Sequence, residues 1–410
     1  MEAFFRTHAY LVEHLDLPVR RALMDEIDWH DPLIGIKGTR GVGKTSFLLQ
    51  YAKENFDVRS RKCLYINMNN FYFQGRGLAD FAREFRILGG EVLLIDQVFK
   101  QPEWSKELRR CHDENQGLRI IFTGSSVMRL KEENPELNGL VKSYNLRGFS
   151  FREFLNLKTA NTLPTFTLQD ILQRHEQIVP QILSHVNPLN FFQSYLHHGF
   201  YPFFLEKRNF SENLLKTMNM MIEVDILLIK QIELKYLTKL KKLLYLLAVE
   251  RPSVPNVSQL AAEIETSRAT VMNYIKYLSD ARLINLIYRP GEEFPKKPAR
   301  LMMHNSNLMY AIYPNRMEEI DVYETFFQNA LWAYHDVRLG DRAGSFLVDG
   351  HRFRISASEP SRAVPPRMSS TPWPTSPVVT TTSSPSGSSA SSTDSLSVRD
   401  SPTAGRRTSS

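Results

Sequence analysis

Eight consecutive residues, Gly38, Thr39, Arg40, Gly41, Val42, Gly43, Lys44 and Thr45, fit the spacing G-x-x-x-x-G-K-[ST]. The glycines let the backbone curl until successive N–H groups face one point, which is how a chain holds phosphate oxygens. Lys44 is the cation that reaches the β- and γ-phosphates, and the Thr45 hydroxyl is a ligand for Mg²⁺. Ser46 closes the loop and begins the following turn. A second group lies about fifty residues on, where Val92-Leu93-Leu94-Ile95 runs into Asp96. An apolar strand that closes on an aspartate delivers a carboxylate to the same metal ion. Gln97 follows, where a glutamate would polarise an attacking water. Its amide can hydrogen-bond that water but cannot take its proton. The strand-like run Leu118–Phe122 ends in Thr123-Gly124-Ser125-Ser126, and Ser125 is a candidate sensor of the γ-phosphate. The expected ligands are therefore ATP and Mg²⁺.

These groups act together only if secondary structure gathers them. Leu33-Ile34-Gly35-Ile36 reads as a buried parallel strand and Ser46–Lys53 as the helix after the loop. Lys62–Met68 reads as another strand, and Leu78–Leu88 as a helix stopped by Gly89-Gly90. Two helices are expected before the loop, Ala3–Leu15 and Val19–Ile27. Alternating strands and helices predict a parallel sheet covered on both faces.

The strings Gly38–Ser46, Leu93–Gln97, Pro102-Glu103-Trp104, Phe122–Ser126 and Ser150-Phe151-Arg152-Glu153-Phe154 occur here in one order. In this the chain resembles the bacterial and archaeal AAA-type ATPases that carry a winged-helix segment and a C-terminal nuclease-like domain. The resemblance covers about residues 10–355. It implies an α/β fold: a P-loop NTPase parallel sheet with flanking helices, then a helical lid, a winged helix and a partial α/β C-terminal domain. The chain departs from that family at Gln97 and at Leu140, which stands where relatives have an arginine finger. Both departures point to slow hydrolysis and leave nucleotide binding intact.

The expected domains are residues 1–160 for the ATPase, 161–235 for the lid, 236–292 for the winged helix, 293–355 for the partial nuclease-like domain and 356–410 for a Ser/Thr/Pro-rich tail. Within the lid, Phe192, Tyr195, Phe200, Tyr201, Phe203 and Phe204 read as a packed aromatic core. His197 and His198 have no partner at metal-ligand spacing. In the winged helix, Arg268, Thr270, Asn273 and Lys276 fall on the third helix, where they would face a major groove or phosphates. Such modules also bind proteins, and both partners stay open, as does a homo-oligomer. A DNA-binding regulator whose nucleotide is mainly structural is the alternative function. In the C-terminal part, Ser345 stands where an aspartate is expected and Arg354 close to an expected glutamate, so no nuclease site assembles. Phe346–Phe353 reads as one strand with an unpaired edge.

About half of residues 356–410 are Ser or Thr, which predicts disorder. Either this tail is genuine or the sequence from about residue 356 is read in a shifted frame. The net charge of +7 with pI near 9.2 permits an acidic partner without demanding one. Two cysteines among 410 residues exclude a disulfide framework. No signal peptide or membrane span is visible, so a cytoplasmic protein without a membrane partner is expected.

Overall fold

The computed structural model describes residues 1–130, 132–206, 209–314, 317–341, 345–357 and 377–380. The chain packs as two compact units. One comprises Met1–Glu153, Phe200–Thr238 and Asp280–Arg282; the other comprises Phe154–Gly199, Lys239–Ser279 and the chain from Leu283.

The first unit is built on a five-stranded parallel sheet. Its strands are β1 (Leu33–Gly38), β2 (Cys63–Asn67), β3 (Val92–Asp96), β4 (Arg119–Ser125) and β5 (Lys142–Asn145), in the order β2-β3-β4-β1-β5. Strands β1, β3 and β4 are apolar on both faces because both faces are covered; every residue of β3 is buried. The register pairs Gly38 with Ser125 and Asn67 with Asp96, so these four residues end at the same carboxyl edge of the sheet. That edge is where open α/β sheets carry their ligands. Beneath it, Phe81, Phe85, Leu108, Phe122 and Ile120 belong to one continuous core.

Before the loop, a helix spans Glu2–Glu13, but the second expected helix shrinks to Leu23–Glu26. The difference has a cause. Arg21 leaves helical geometry to donate to Glu153 Oε1 at 2.9 Å and to the carbonyls of Val42, Arg147 and Gly148 at 3.1, 2.6 and 3.2 Å. Strand β5 was not visible in the sequence. Its residues are Lys, Ser, Tyr and Asn, and it needs little apolar character as an edge strand beside β1.

The division into units cuts across the expected lid. In the second unit, Phe154 packs edge-on against Tyr195 at 5.5 Å, and Phe192 meets Phe326 at 4.9 Å. Asn307 donates to the carbonyls of Tyr195 and Leu196. In the first unit, Phe149 N–H donates to the Phe200 carbonyl at 2.7 Å and Phe204 packs on Phe149. The aromatic stretch is thus two packing groups rather than one. His197 stacks on Tyr310 at 3.6 Å.

The second unit also holds three helices, Leu237–Val249 (from Lys239 on), Val257–Glu263 and Arg268–Asp280 (to Ser279). An antiparallel hairpin of β6 (Ile284–Ile287) and β7 (Arg300–Met303) follows. Helix Glu319–Leu331 then packs Phe327 against Phe346 and Phe353, each at 5.3 Å, in a sheet of β8 (Val337–Leu339), β9 (Ser345–Val348), β10 (His351–Ala357) and β11 (Pro377–Thr380). Here the single strand expected over Phe346–Phe353 is corrected. Asp349 and Gly350 both have positive φ, 49° and 87°, and turn the chain into a hairpin. The edge expected to be unpaired carries β11, antiparallel to β10. The rest of the tail, 358–376 and 381–410, where disorder is expected from the sequence, lies outside the described residues. No helix among the described residues is long and apolar enough to cross a membrane.

Candidate functional site

The carboxyl edge of the five-stranded sheet opens into a cavity of about 730 Å³. All the residues that line it belong to the first unit. The loop Thr39–Gly43 leaves β1 and enters the helix Lys44–Asn55. Gly41 and Gly43 adopt φ of 85° and 89°, a conformation that turns the peptide N–H groups inward. Gly41 also has no room for a side chain, since a Cβ there would lie 2.9 Å from the Phe203 ring. The helix N-terminus adds its partial positive charge at the same point.

Of the residues singled out from the sequence, Arg40, Gly41, Gly43, Lys44, Thr45, Ser46, Asp96, Gln97 and Ser125 line the cavity. Gly38, Thr39 and Val42 do not. Gly38 ends β1 with its α-carbon against the Leu146 carbonyl, and Val42 is fully buried in the core. Thr39 turns its hydroxyl away, within 3.1 Å of the Ala281 carbonyl.

Lys44 Nζ donates to the carbonyls of Gly38 and Thr39 at 2.7 and 2.8 Å. Burial lowers its pKa to about 8, against the opposing pull of Asp225 and then Asp96. A lysine held this way gains when an anion arrives. Thr45 Oγ1 donates to Asp96 Oδ2 at 2.7 Å. Asp96 also accepts from Tyr65 Oη at 2.9 Å, from Asn67 Nδ2 at 3.3 Å and from the Thr123 hydroxyl. Tyr65 and Asn67 sit two apart on β2, so their side chains share a face. Burial first, and then the Asp96 charge, raises the Tyr65 pKa, which keeps the phenol a donor. Gln97 has φ of 58°, and its N–H donates to Thr123 Oγ1 at 2.9 Å.

Thr45 and Asp96 offer a hydroxyl and a carboxylate oxygen in hydrogen-bond contact. That donor set fits Mg²⁺, a hard cation that takes one or two protein oxygens and completes its shell with phosphate and water. A triphosphate fits too. Lys44 is available to it, and Arg40 Nε is buried with no hydrogen-bond partner among the described residues. Leu17, Pro18, Pro202, Phe203 and Leu205 give the cavity an apolar side suited to a planar ring.

Sequence reading missed Asp225. It lies on a π-helical turn, Met221–Ile226, at 3% exposure. It accepts from Arg40 Nη2 at 2.6 Å and from Ser125 Oγ at 3.2 Å. Its signal in the sequence is slight, a lone aspartate between Val224 and Ile226 in an apolar run. Leu140, at the position expected for an arginine finger, packs half-buried against the sheet core.

Residues 30–155 match the family described as AAA domain, and residues 190–303 match a domain of unknown function, DUF8612. The chain is 27% identical over 273 residues to Uncharacterized protein MJ1637 of Methanocaldococcus jannaschii, covering 63% of this chain and 57% of that protein. It is 26% identical over 263 residues to Uncharacterized protein MJ1544 of the same organism, covering 62% and 55%. The chain thus spans little more than half the length of these curated relatives. Among solved structures, the Aeropyrum pernix ORC1 protein in complex with DNA aligns with a TM-score of 0.29 and 12% identity, over 81% of this chain and 93% of that one. Domain III of the Thermotoga maritima replication initiation protein DnaA aligns with a TM-score of 0.22 and 17% identity, over 52% and 89%. Likenesses at these scores carry no argument about this chain. Residues 30–155 thus match the AAA domain family, and the parallel sheet with the loop-to-helix turn at its carboxyl edge is the fold of P-loop nucleoside triphosphatases.

Proposed function

We propose that this cavity binds ATP with Mg²⁺ and hydrolyses it slowly, so that the nucleotide serves as a conformational switch. The observation that carries the reading is the meeting of Lys44, Thr45, Asp96 and Ser125 at one sheet edge, with Gly41 and Gly43 in the loop conformation that phosphate requires. In this reading the Lys44 ammonium holds the β- and γ-phosphates, and the loop N–H groups hold the α- and β-phosphates. Thr45 and Asp96 hold the metal, whose chemistry is to neutralise charge developing on the transferred phosphoryl group. Tyr65, Asn67 and Thr123 keep the Asp96 carboxylate aimed. The Gln97 amide orients water without accepting its proton.

Slow turnover follows from Gln97 and from Leu140, which packs half-buried against the core and supplies no cation. Gln97→Glu is expected to raise turnover on the order of 100-fold, the low end of what a placed base contributes, with ATP affinity nearly unchanged. Single-turnover phosphate release checks this. A parent already as fast as the variant would remove Gln97 from the catalytic position.

A second reading, DNA contact, has one observation in its favour. The helix Arg268–Asp280 leaves Arg268 and Asn273 exposed, with Thr270 and Lys276 half-exposed beside them. A duplex affinity that falls steeply with salt would support it.

A further inference from the structure

Asp225 is a buried carboxylate among the groups that a γ-phosphate would need. Arg40 Nη2 lies 2.6 Å from one of its oxygens and Ser125 Oγ 3.2 Å from the other. Among neighbouring charges its pull on the Lys44 ammonium is the largest. A guanidinium and a hydroxyl therefore bond this one anion, and the Lys44 ammonium lines the same cavity. The pairing uses only part of Arg40, whose Nε is buried without a partner among the described residues. A phosphoryl group can bind Nε together with an Nη along one edge of a guanidinium, whereas the carboxylate here engages Nη2 alone.

The element that carries Asp225 is also unusual. Helix Phe210–Met220 passes into the π-helical turn Met221–Ile226 and then into the short helix Leu227–Lys230. Single π turns are rare and occur often at functional sites. The segment touches the phosphate loop at a second point, where Met221 Sδ lies 3.4 Å from Thr39 Oγ1. Its far end is tied by Lys230 to Glu133 at 2.9 Å.

We infer that Asp225 and the γ-phosphate of ATP compete for Arg40 and Ser125, so that Asp225 sets the cavity's preference between ATP and ADP. This rests on the ATP reading above. Two anions within one water-poor pocket repel strongly. A γ-phosphate seated on Lys44 therefore displaces the carboxylate, and Met221–Lys230 with it. ADP ends one phosphate short and leaves the Arg40–Asp225 pair in place. The segment then reports which nucleotide is bound.

The test is calorimetric titration of the full chain with Mg·ATP and with Mg·ADP, parent against Asp225→Asn. The amide keeps the shape and a hydrogen-bond acceptor for Ser125 but loses the charge. ATP affinity is expected to rise about 10-fold while ADP affinity changes less than about 2-fold, because only the γ-phosphate meets the removed charge. Equal changes for the two nucleotides, or weaker ATP binding, would overturn the inference and leave the ATP reading standing. A parent that binds neither nucleotide would overturn both. If the variant does not fold, hydrogen exchange on the parent decides. A non-hydrolysable ATP analogue, and not ADP, is expected to speed amide exchange in Met221–Lys230; identical exchange with both would overturn the inference.

Discussion

Lys44→Ala should lose ATP affinity by about 100- to 1,000-fold, since truncating one partner of a buried, charge-assisted contact typically costs 2 kcal/mol or more. The structure supplies the reason for so large a change. The ammonium lines the cavity at the N-terminus of the helix Lys44–Asn55, held by the Gly38 and Thr39 carbonyls, and burial already lowers its pKa to about 8. It is a cation kept short of counter-charge, so a phosphate on it gains more than it would on a solvated lysine. The fold should survive, because removing an ammonium that is costly to bury relieves as much as it removes. Thermal unfolding separates the two effects. A variant that melts with the parent and does not bind ATP fits this account; a folded variant that binds ATP as the parent does would remove Lys44 from the site.

The second large effect lies outside the cavity. Arg21 and Glu153 form an ion pair at 2.9 Å with side chains 10% and 11% exposed. Glu153 also accepts from the Ser150 N–H at 2.9 Å and from the Ala22 N–H. Ser150 in turn caps the helix that begins at Phe151 by accepting from the Glu153 N–H, the reciprocal arrangement of a capping box. Arg21→Met leaves that carboxylate buried and unpaired, and should cost about 3–5 kcal/mol of stability. Because Arg21 also holds the Val42 carbonyl inside the phosphate loop, ATP affinity should fall with it.

The pH dependence has a definite sign. Burial pushes the Glu153 pKa up, but the Arg21 charge and the Ser150 N–H outweigh it and hold the group below its ordinary value. In the parent the pair's contribution is therefore complete above the ordinary glutamate pKa and is lost as pH falls through the lower, folded value. In Arg21→Met the carboxylate loses its cation and its pKa rises. The variant's deficit should be greatest near neutral pH and shrink as pH falls and the carboxyl takes up a proton. Urea unfolding at pH 7 and at pH 4 measures this; a deficit that is the same at both would show that Glu153 is not the group left unpaired.

The legible parts of this site are the contiguous ones. The phosphate loop and the strand closing on Asp96 announce themselves because each places its chemistry within a few residues of one strand. Arg40 and Asp225 are 185 residues apart, and Arg21 and Glu153 are 132 apart. No local pattern links such pairs, and each member alone looks like an ordinary charged residue. The string Ser150–Phe154 stood out in the sequence without a role, and Arg21 gives it one. The hairpin turn at Asp349-Gly350 was legible in principle, as the dipeptide that favours positive φ at both positions. The stretch expected as a lid, 161–235, is divided between the two units for a different reason. Its aromatic residues read the same whichever unit they pack into, and only the fold assigns Tyr195 to one and Phe203 to the other.

The central claim is that the cavity at the sheet edge is a Mg·ATP site. Isothermal titration of the full chain with ATP, with and without Mg²⁺, tests it most directly. One saturable site per chain is expected, weakened when Mg²⁺ is withheld because the ion that Thr45 and Asp96 would hold would offset the phosphate charge. A folded protein that gives no binding heat with ATP in the presence of Mg²⁺, at any temperature tried, would contradict the account.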